Sequence, residues 1–202
     1  MKIRYPKGSQ PNYTNISNTT KLNKKNTLLI SQSNRGIDFE EDVNLTNRYY
    51  LENDIALIYK RPTPVKVLKF NRKTKRIVEG LYDEKSTTDY NGVYKGFYID
   101  FEVKTTKDST SFPLSNIRDQ QLIHLSRVIE NKGIGFFLIR LELLNEVYIL
   151  MAQDVINFIK ENSRHSIPFS YIKEKGFKVE YRYTPRLDYL FTLERDVLNS
   201  LQ

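Results

Sequence analysis

Thr87-Thr88-Asp89-Tyr90-Asn91-Gly92, followed after Val93 to Gly96 by Phe97-Tyr98-Ile99-Asp100-Phe101-Glu102-Val103-Lys104, alternates more cleanly than any other part of the chain. In a strand of period two, Phe97, Ile99, Phe101 and Val103 fall on one side and Tyr98, Asp100, Glu102 and Lys104 on the other. One face feeds a core and the other gathers charge. Glu102 and Lys104 lie about 7 Å apart along that face. Asn91-Gly92 and Lys95-Gly96 read as turns that fold Asp89 back beside them. The result is a carboxylate pair next to an ammonium. Two carboxylates suit Mg²⁺, which takes hard oxygen ligands and leaves room for water and a phosphate oxygen. Lys104 is then better placed to stabilise charge at phosphorus, or to orient water, than to act as a base. The plain alternative is an ion-pair cluster on a half-exposed strand, and the residue types alone leave both readings open.

Outward from this strand the pattern is an α/β alternation. Downstream come a helix over 116–131, strands over 134–141 and 147–151, and a helix over 153–162. The first of these helices rests on Ile117, Gln121, Leu125, Val128 and Ile129 at three- and four-residue steps, and ends at Asn131-Lys132-Gly133. A strand over 177–183 and a helix over 187–198 flank Thr184-Pro185. Upstream, a helix opens near Ser33 or Asn34, with acids in its first turns and Phe39, Val43 and Tyr50 at inward spacing. Between the two regions, Val65 to Phe70 and Ile77-Val78 bracket the polar stretch Asn71 to Arg76, which predicts a protruding hairpin with a basic tip.

The 202 residues carry a formal net charge of +8, and the excess is local. Lys60, Arg61, Lys66, Lys69, Arg72, Lys73, Lys75 and Arg76 face only Glu79, and Lys2, Arg4, Lys7, Lys21, Lys24 and Lys25 face no acid in the first thirty residues. A localised basic block points to a polyanionic partner. Arg72, Lys73, Lys75 and Arg76 are the hairpin-tip candidates. Residues 1–32 read as a flexible basic tail and 33–202 as one domain, with the hairpin at about 61–80. The absence of cysteine excludes disulfides, thiolate zinc sites and cysteine nucleophiles, and two histidines exclude a histidine-rich metal site. The longest apolar run, Gly133 to Ile139, is too short to span a membrane, so the expectation is a cytoplasmic protein.

The strings above resemble a known family. Thr87-Thr88-Asp89 and Glu102-Val103-Lys104 look like the PD-(D/E)xK nuclease signature with Thr88 in place of Pro, and the wider text resembles the RecU family of Holliday junction resolvases. The likeness is carried by Ser33-Asn34-Arg35-Gly36, Thr46-Asn47-Arg48-Tyr49-Tyr50, Pro62-Thr63-Pro64-Val65 and Ser86-Thr87-Thr88-Asp89-Tyr90-Asn91-Gly92-Val93-Tyr94-Lys95-Gly96. Tyr98-Ile99-Asp100-Phe101-Glu102, Thr110-Ser111-Phe112-Pro113-Leu114 and Pro185-Arg186-Leu187-Asp188-Tyr189 continue it.

That resemblance implies a restriction-endonuclease-like mixed sheet flanked by helices, with the basic hairpin as a stalk. It implies a homodimer that nicks two symmetry-related strands of a four-way DNA junction, with Mg²⁺ as cofactor and Mn²⁺ as a substitute. By the same likeness Thr87, Asp89, Glu102 and Gln121 bind the metal, directly or through water, Lys104 stabilises the transition state, and recombinase and branch-migration proteins are partners. Asp100 is expected as a further ligand or as a group behind the ligands, Glu40 as either an acid of the site or part of a solvated helix face, and His124 as a hydrogen-bonded core or rim histidine. Two rival readings remain: a non-catalytic DNA-bridging or recombinase-modulating protein whose acidic cluster is structural, and a duplex-cutting restriction enzyme, for which no base-reading segment stands out.

Overall fold

The computed structural model describes residues 39–62, 64–82 and 87–200. The expected basic tail, the helix start near Ser33 or Asn34, and Ser86 lie outside these residues.

The first described helix, α1 (Phe39–Glu52), buries Phe39, Val43 and Tyr50 as their spacing predicts. Strand β1 (Leu57–Lys60) follows it, and then the hairpin β2 (Val65–Asn71) and β3 (Arg76–Tyr82) forms a two-stranded sheet of its own. All fourteen of its strand residues are exposed. Its tip is ordered locally: the Asn71 side-chain oxygen accepts from the backbone N–H groups of Lys73 at 3.0 Å and Thr74 at 3.1 Å.

The chain then returns to the main sheet with β4 (Tyr90–Tyr94), β5 (Phe97–Thr106), β7 (Ile134–Leu141), β8 (Glu146–Met151) and β10 (Phe177–Val179). The strand order is β1-β4-β5-β7-β8-β10, with β5 and β7 parallel and the other neighbours antiparallel. The mixed central sheet expected from the sequence is therefore present. A small pair, β6 (Ser111–Pro113) with β9 (Ser166–Pro168), lies apart from it. Helices α1 and α5 (Tyr189–Asp196) share one core with Ile99, Phe101, Phe136 and Ile149, in which Tyr90, Phe101 and Phe136 stack at centroid distances of 5.1 and 4.8 Å. Helices α2 (Asp119–Glu130), α3 (Ala152–Glu161) and α4 (Phe169–Lys175) form the other core with Phe137, Ile139 and Leu150.

Three expectations need correction. Asn91-Gly92 is not a turn but lies inside β4, and Lys95-Gly96, with φ of 49° and 85°, makes the hairpin. Gly92 is glycine for another reason: a Cβ there would stand 2.0 Å from the Leu57 carbonyl oxygen, so only glycine lets β1 pair at that register. Helix α2 begins at Asp119 rather than near 116, because Leu114–Asn116 forms a separate 3₁₀ turn. The strand expected over 177–183 stops at Val179, and only the single bridge Tyr181 to Leu187 continues its pairing.

Gly92→Ala is expected to cost about 2–3 kcal/mol by overpacking. Gly96→Ala, in open space at a positive φ, is expected to cost about 1 kcal/mol from backbone conformation alone. Urea midpoints of the two variants check the difference.

Candidate active site

The site forms where β4 runs out. Pairing between β4 and β5 ends at Tyr90 opposite Phe101, so β5 continues through Thr106 with β7 on one side and, among the described residues, no strand on the other. The residue just before β4 fills the first open position: the Asp89 carboxylate accepts from the Val103 backbone N–H at 3.0 Å. Phe39, Glu40, Asp89, Val103 and Thr105 line a narrow cleft of about 100 Å³ along this edge. Glu40 therefore faces the acidic strand, where it forms an ion pair with Lys60.

The polar face of β5 is not half-exposed as its alternation suggests. Asp100 is 0% and Glu102 3% exposed, because α2 lies over them. Gly135, the β7 partner of Asp100, permits the close packing: a Cβ there would already stand 3.2 Å from a Leu125 methyl on α2. One turn of α2 then delivers both Gln121 and His124 to the strand.

Glu102 Oε1 accepts from Lys104 Nζ at 2.8 Å and from Gln121 Nε2 at 2.5 Å. Its second oxygen, Oε2, is buried with no partner, and so is the Thr87 hydroxyl. A buried carboxylate oxygen left without a donor costs about 1–3 kcal/mol, which a cation would recover. Burial first, and the Asp89 charge second, raise the Glu102 pKa from 4.5 to about 7, against the opposing pull of Lys104. Gln121 reaches the site nitrogen first, since its oxygen caps α2 by accepting from the Arg118 N–H at 3.0 Å. A direct metal bond from that oxygen requires the amide to turn over and release the cap. Among the described residues no three acidic or histidine side chains converge as a cation site. The oxygen donors are thus two carboxylates and the Thr87 hydroxyl, supported by an amide.

Asp100 behaves differently from Glu102. Its Oδ1 accepts from the Thr88 hydroxyl, while its Oδ2 accepts from Arg61 at 2.5 Å and Tyr98 OH at 2.8 Å and meets His124 Nε2 at 2.8 Å. His124 is the hydrogen-bonded histidine expected at the rim. Arg61, counted above with the DNA-contacting cations, turns inward instead of projecting with the hairpin, and its side chain is only 24% exposed. Lys66, Lys69, Arg72, Lys73, Lys75 and Arg76 are exposed as expected. Thr88 and Tyr98 were not singled out from the sequence. Tyr98 shares a strand face with Asp100, which is a readable signal, whereas nothing local links Thr88 to it.

A carboxyl with a raised pKa favours the folded state at low pH and loses that advantage as pH climbs through its folded value. The metal-free protein is accordingly expected to lose up to roughly 3 kcal/mol of stability between pH 4.5 and pH 7 through Glu102. Glu102→Gln is expected to flatten this dependence, as read by denaturant unfolding in EDTA.

Compared with known proteins, the chain matches the family model RecU, Recombination protein U, over residues 34–195. The Holliday junction resolvase RecU of Lactococcus lactis subsp. cremoris (strain MG1363) is 39% identical over 213 aligned positions, covering 98% of each chain. Its counterpart from Staphylococcus aureus (strain JH9) is 43% identical over 177 positions, covering 85% of each. That of Streptococcus mutans serotype c is 42% identical over 175 positions, covering 85% of this chain and 89% of the relative. Among solved structures, Archaeoglobus fulgidus Hjc, a Holliday junction resolvase from an archaeal hyperthermophile, aligns with a TM-score of 0.42 and 12% identity over 69% of this chain and 93% of that one. The family match runs unbroken from before α1, through the exposed hairpin and the acid-bearing strand, into α5, and on that basis this chain is a member of the RecU family.

Proposed function

We propose that the chain is a Holliday junction resolvase, a structure-selective endodeoxyribonuclease that places paired symmetric nicks in four-way DNA junctions during recombination and repair. The observation that carries the chemistry is the pair of unpartnered buried oxygens, Glu102 Oε2 and Thr87 Oγ1, on the two segments that also present Asp89 and Lys104. The relatives' names supply the substrate.

Thr87, Asp89 and Glu102 would hold Mg²⁺, or Mn²⁺ in its place, with Gln121 keeping Glu102 in position. When bound, such an ion supplies Lewis-acid polarisation of a phosphate and lowers the pKa of a water. The protein's own residues do the rest. Lys104, held against Glu102, offers an ammonium to the charge that develops at phosphorus as water attacks in line. The leaving group is the 3′ oxygen, which gives 5′-phosphate and 3′-hydroxyl ends. Burial of Glu102 beneath α2 limits water around the charges and so strengthens each of these interactions.

Lys66, Lys69, Arg72, Lys73, Lys75 and Arg76 would contact phosphates from the hairpin, with Lys60 at its base. Such contacts carry no base information, so junction recognition rests on branched shape. A homodimer suits a ligand with two-fold symmetry. It also gives the hairpin a covering surface, since Val67, Phe70, Ile77 and Leu81 are about half exposed and a lone two-stranded sheet is marginal in water. Among the described residues no helix is long and apolar enough to cross a membrane. Work on DNA in the cytoplasm, alongside recombinase and branch-migration proteins, belongs to the same reading.

Wild type with Mg²⁺ is expected to nick labelled four-way junctions symmetrically and to leave matched linear duplex intact. Lys104→Met is expected to lower single-turnover nicking by about 100- to 1,000-fold, and Glu102→Ala or EDTA to abolish it while junction binding persists. Equal nicking by Glu102→Ala would refute the site, and binding without any nicking by wild type would favour a DNA-bridging protein. Neutralising Arg72, Lys73, Lys75 and Arg76 together is expected to make the salt dependence of junction binding shallower by up to about 3.6 in slope. An unchanged slope would remove the hairpin from the interface.

A further inference from the structure

Asp100 is wholly buried on the strand that carries Glu102, yet its place in the site is different. A carboxylate offers about four lone-pair positions. Here Arg61, Tyr98 and His124 gather on Oδ2 while Thr88 bonds Oδ1, so each oxygen of Asp100 is already engaged by a neighbour. What Asp100 does instead follows from where its partners come from. Thr88 lies between Thr87 and Asp89, the two oxygen donors that precede β4. Arg61 directly follows β1 and precedes Pro62, whose ring fixes its own φ. Hairpin strand β2 starts only four residues after Arg61, within about 14 Å along an extended chain.

Arg61 holds the acidic turn twice. Its backbone N–H donates to the Asp89 carbonyl at 2.8 Å, and its guanidinium reaches Asp100, which in turn holds Thr88. The guanidinium also donates to Tyr98 OH at 3.1 Å. The root of the hairpin and the Thr87-Thr88-Asp89 turn are thus fastened to one buried carboxylate. A cation used this way is withdrawn from phosphate contact, in contrast to the exposed cations of the hairpin itself.

We propose that Arg61 and Asp100 are positioning residues that tie the root of the basic hairpin to the turn bearing Thr87 and Asp89 and so fix the placement of those two oxygens. The proposal rests on the reading of the chain as a metal-dependent junction nuclease. It separates two properties that a phosphate-contacting arginine would change together. Loss of Arg61 affects nicking and ion affinity, and leaves DNA affinity alone.

The test compares wild type with Arg61→Ala, Arg61→Lys and Thr88→Val by three measurements. These are four-way junction affinity against salt in EDTA, single-turnover nicking at saturating junction with Mg²⁺, and Mn²⁺ affinity of the DNA-free protein by calorimetry. For Arg61→Ala the expected result is junction affinity and salt slope within error of wild type, with nicking lowered about 10- to 100-fold and Mn²⁺ affinity lowered severalfold. Arg61→Lys, which keeps the charge and reaches toward Asp100, is expected to regain most of the nicking. Thr88→Val, which cuts the other arm of the tie and leaves Arg61 in place, is expected to reproduce the loss of Mn²⁺ affinity. Weaker junction binding by Arg61→Ala with a slope shallower by about one would make Arg61 a phosphate contact and overturn the proposal. Unchanged Mn²⁺ affinity in both Arg61→Ala and Thr88→Val would overturn it too. If wild type binds Mn²⁺ but nicks no junction, the nuclease reading fails, while the ion-affinity comparison still decides whether the tie exists.

Discussion

Burial of two carboxylates on one face of the central strand constrains the rest of this structure. Asp100 and Glu102 lie side by side beneath α2, where an unpaired charge would cost several kcal/mol. The neighbourhood resolves the two in opposite ways. Asp100 is given partners on both oxygens, drawn from Arg61 just after β1, the Thr88 turn, its own strand and α2. Glu102 is given donors on one oxygen and nothing on the other, with burial first and the Asp89 charge second pushing its pKa up. One acid is engaged on both oxygens and the other on one alone, although both stand on the same strand face.

Much of this was legible in the sequence, and the failures have physical reasons. Period-two alternation placed β5, and three- and four-residue spacing placed the inward faces of α1 and α2, because long elements impose their period on apolar residues. The short elements β6, β9 and α4 left no such imprint, since three to seven residues carry too few repeats. Asn91-Gly92 is a strong turn dipeptide, yet the tight approach of Leu57 required a glycine there for space. Within the site, Lys104 and Gln121 both bond Glu102, and Asp89 bonds the Val103 amide of the same strand. The inward turn of Arg61 was not legible, because a count of charges along the chain records a cation without its direction. Its partner lies 39 residues away, on a strand with which β1 does not pair.

The hairpin shows the opposite balance of local and tertiary control. Its strands and basic tip follow directly from pattern, and Asn71 orders the turn without outside help. Yet nothing among the described residues buries its apolar side chains. Its sequence therefore encodes a shape whose stability depends on surfaces beyond it, as suits an element that meets another molecule. At its root, by contrast, Arg61 is bonded to Asp100 and to the Asp89 carbonyl.

Beyond Phe101 one edge of β5 pairs with no strand among the described residues, and that has a cost of its own. An uncovered strand margin is a template on which another chain can add itself, and proteins commonly guard such margins with charge. Here the guard is Asp89, whose carboxylate occupies the Val103 amide. On the reading proposed above, the same side chain would also hold the metal. An inactive protein made by removing it would be a poor control, because sheet-to-sheet clumping could be mistaken for lost activity.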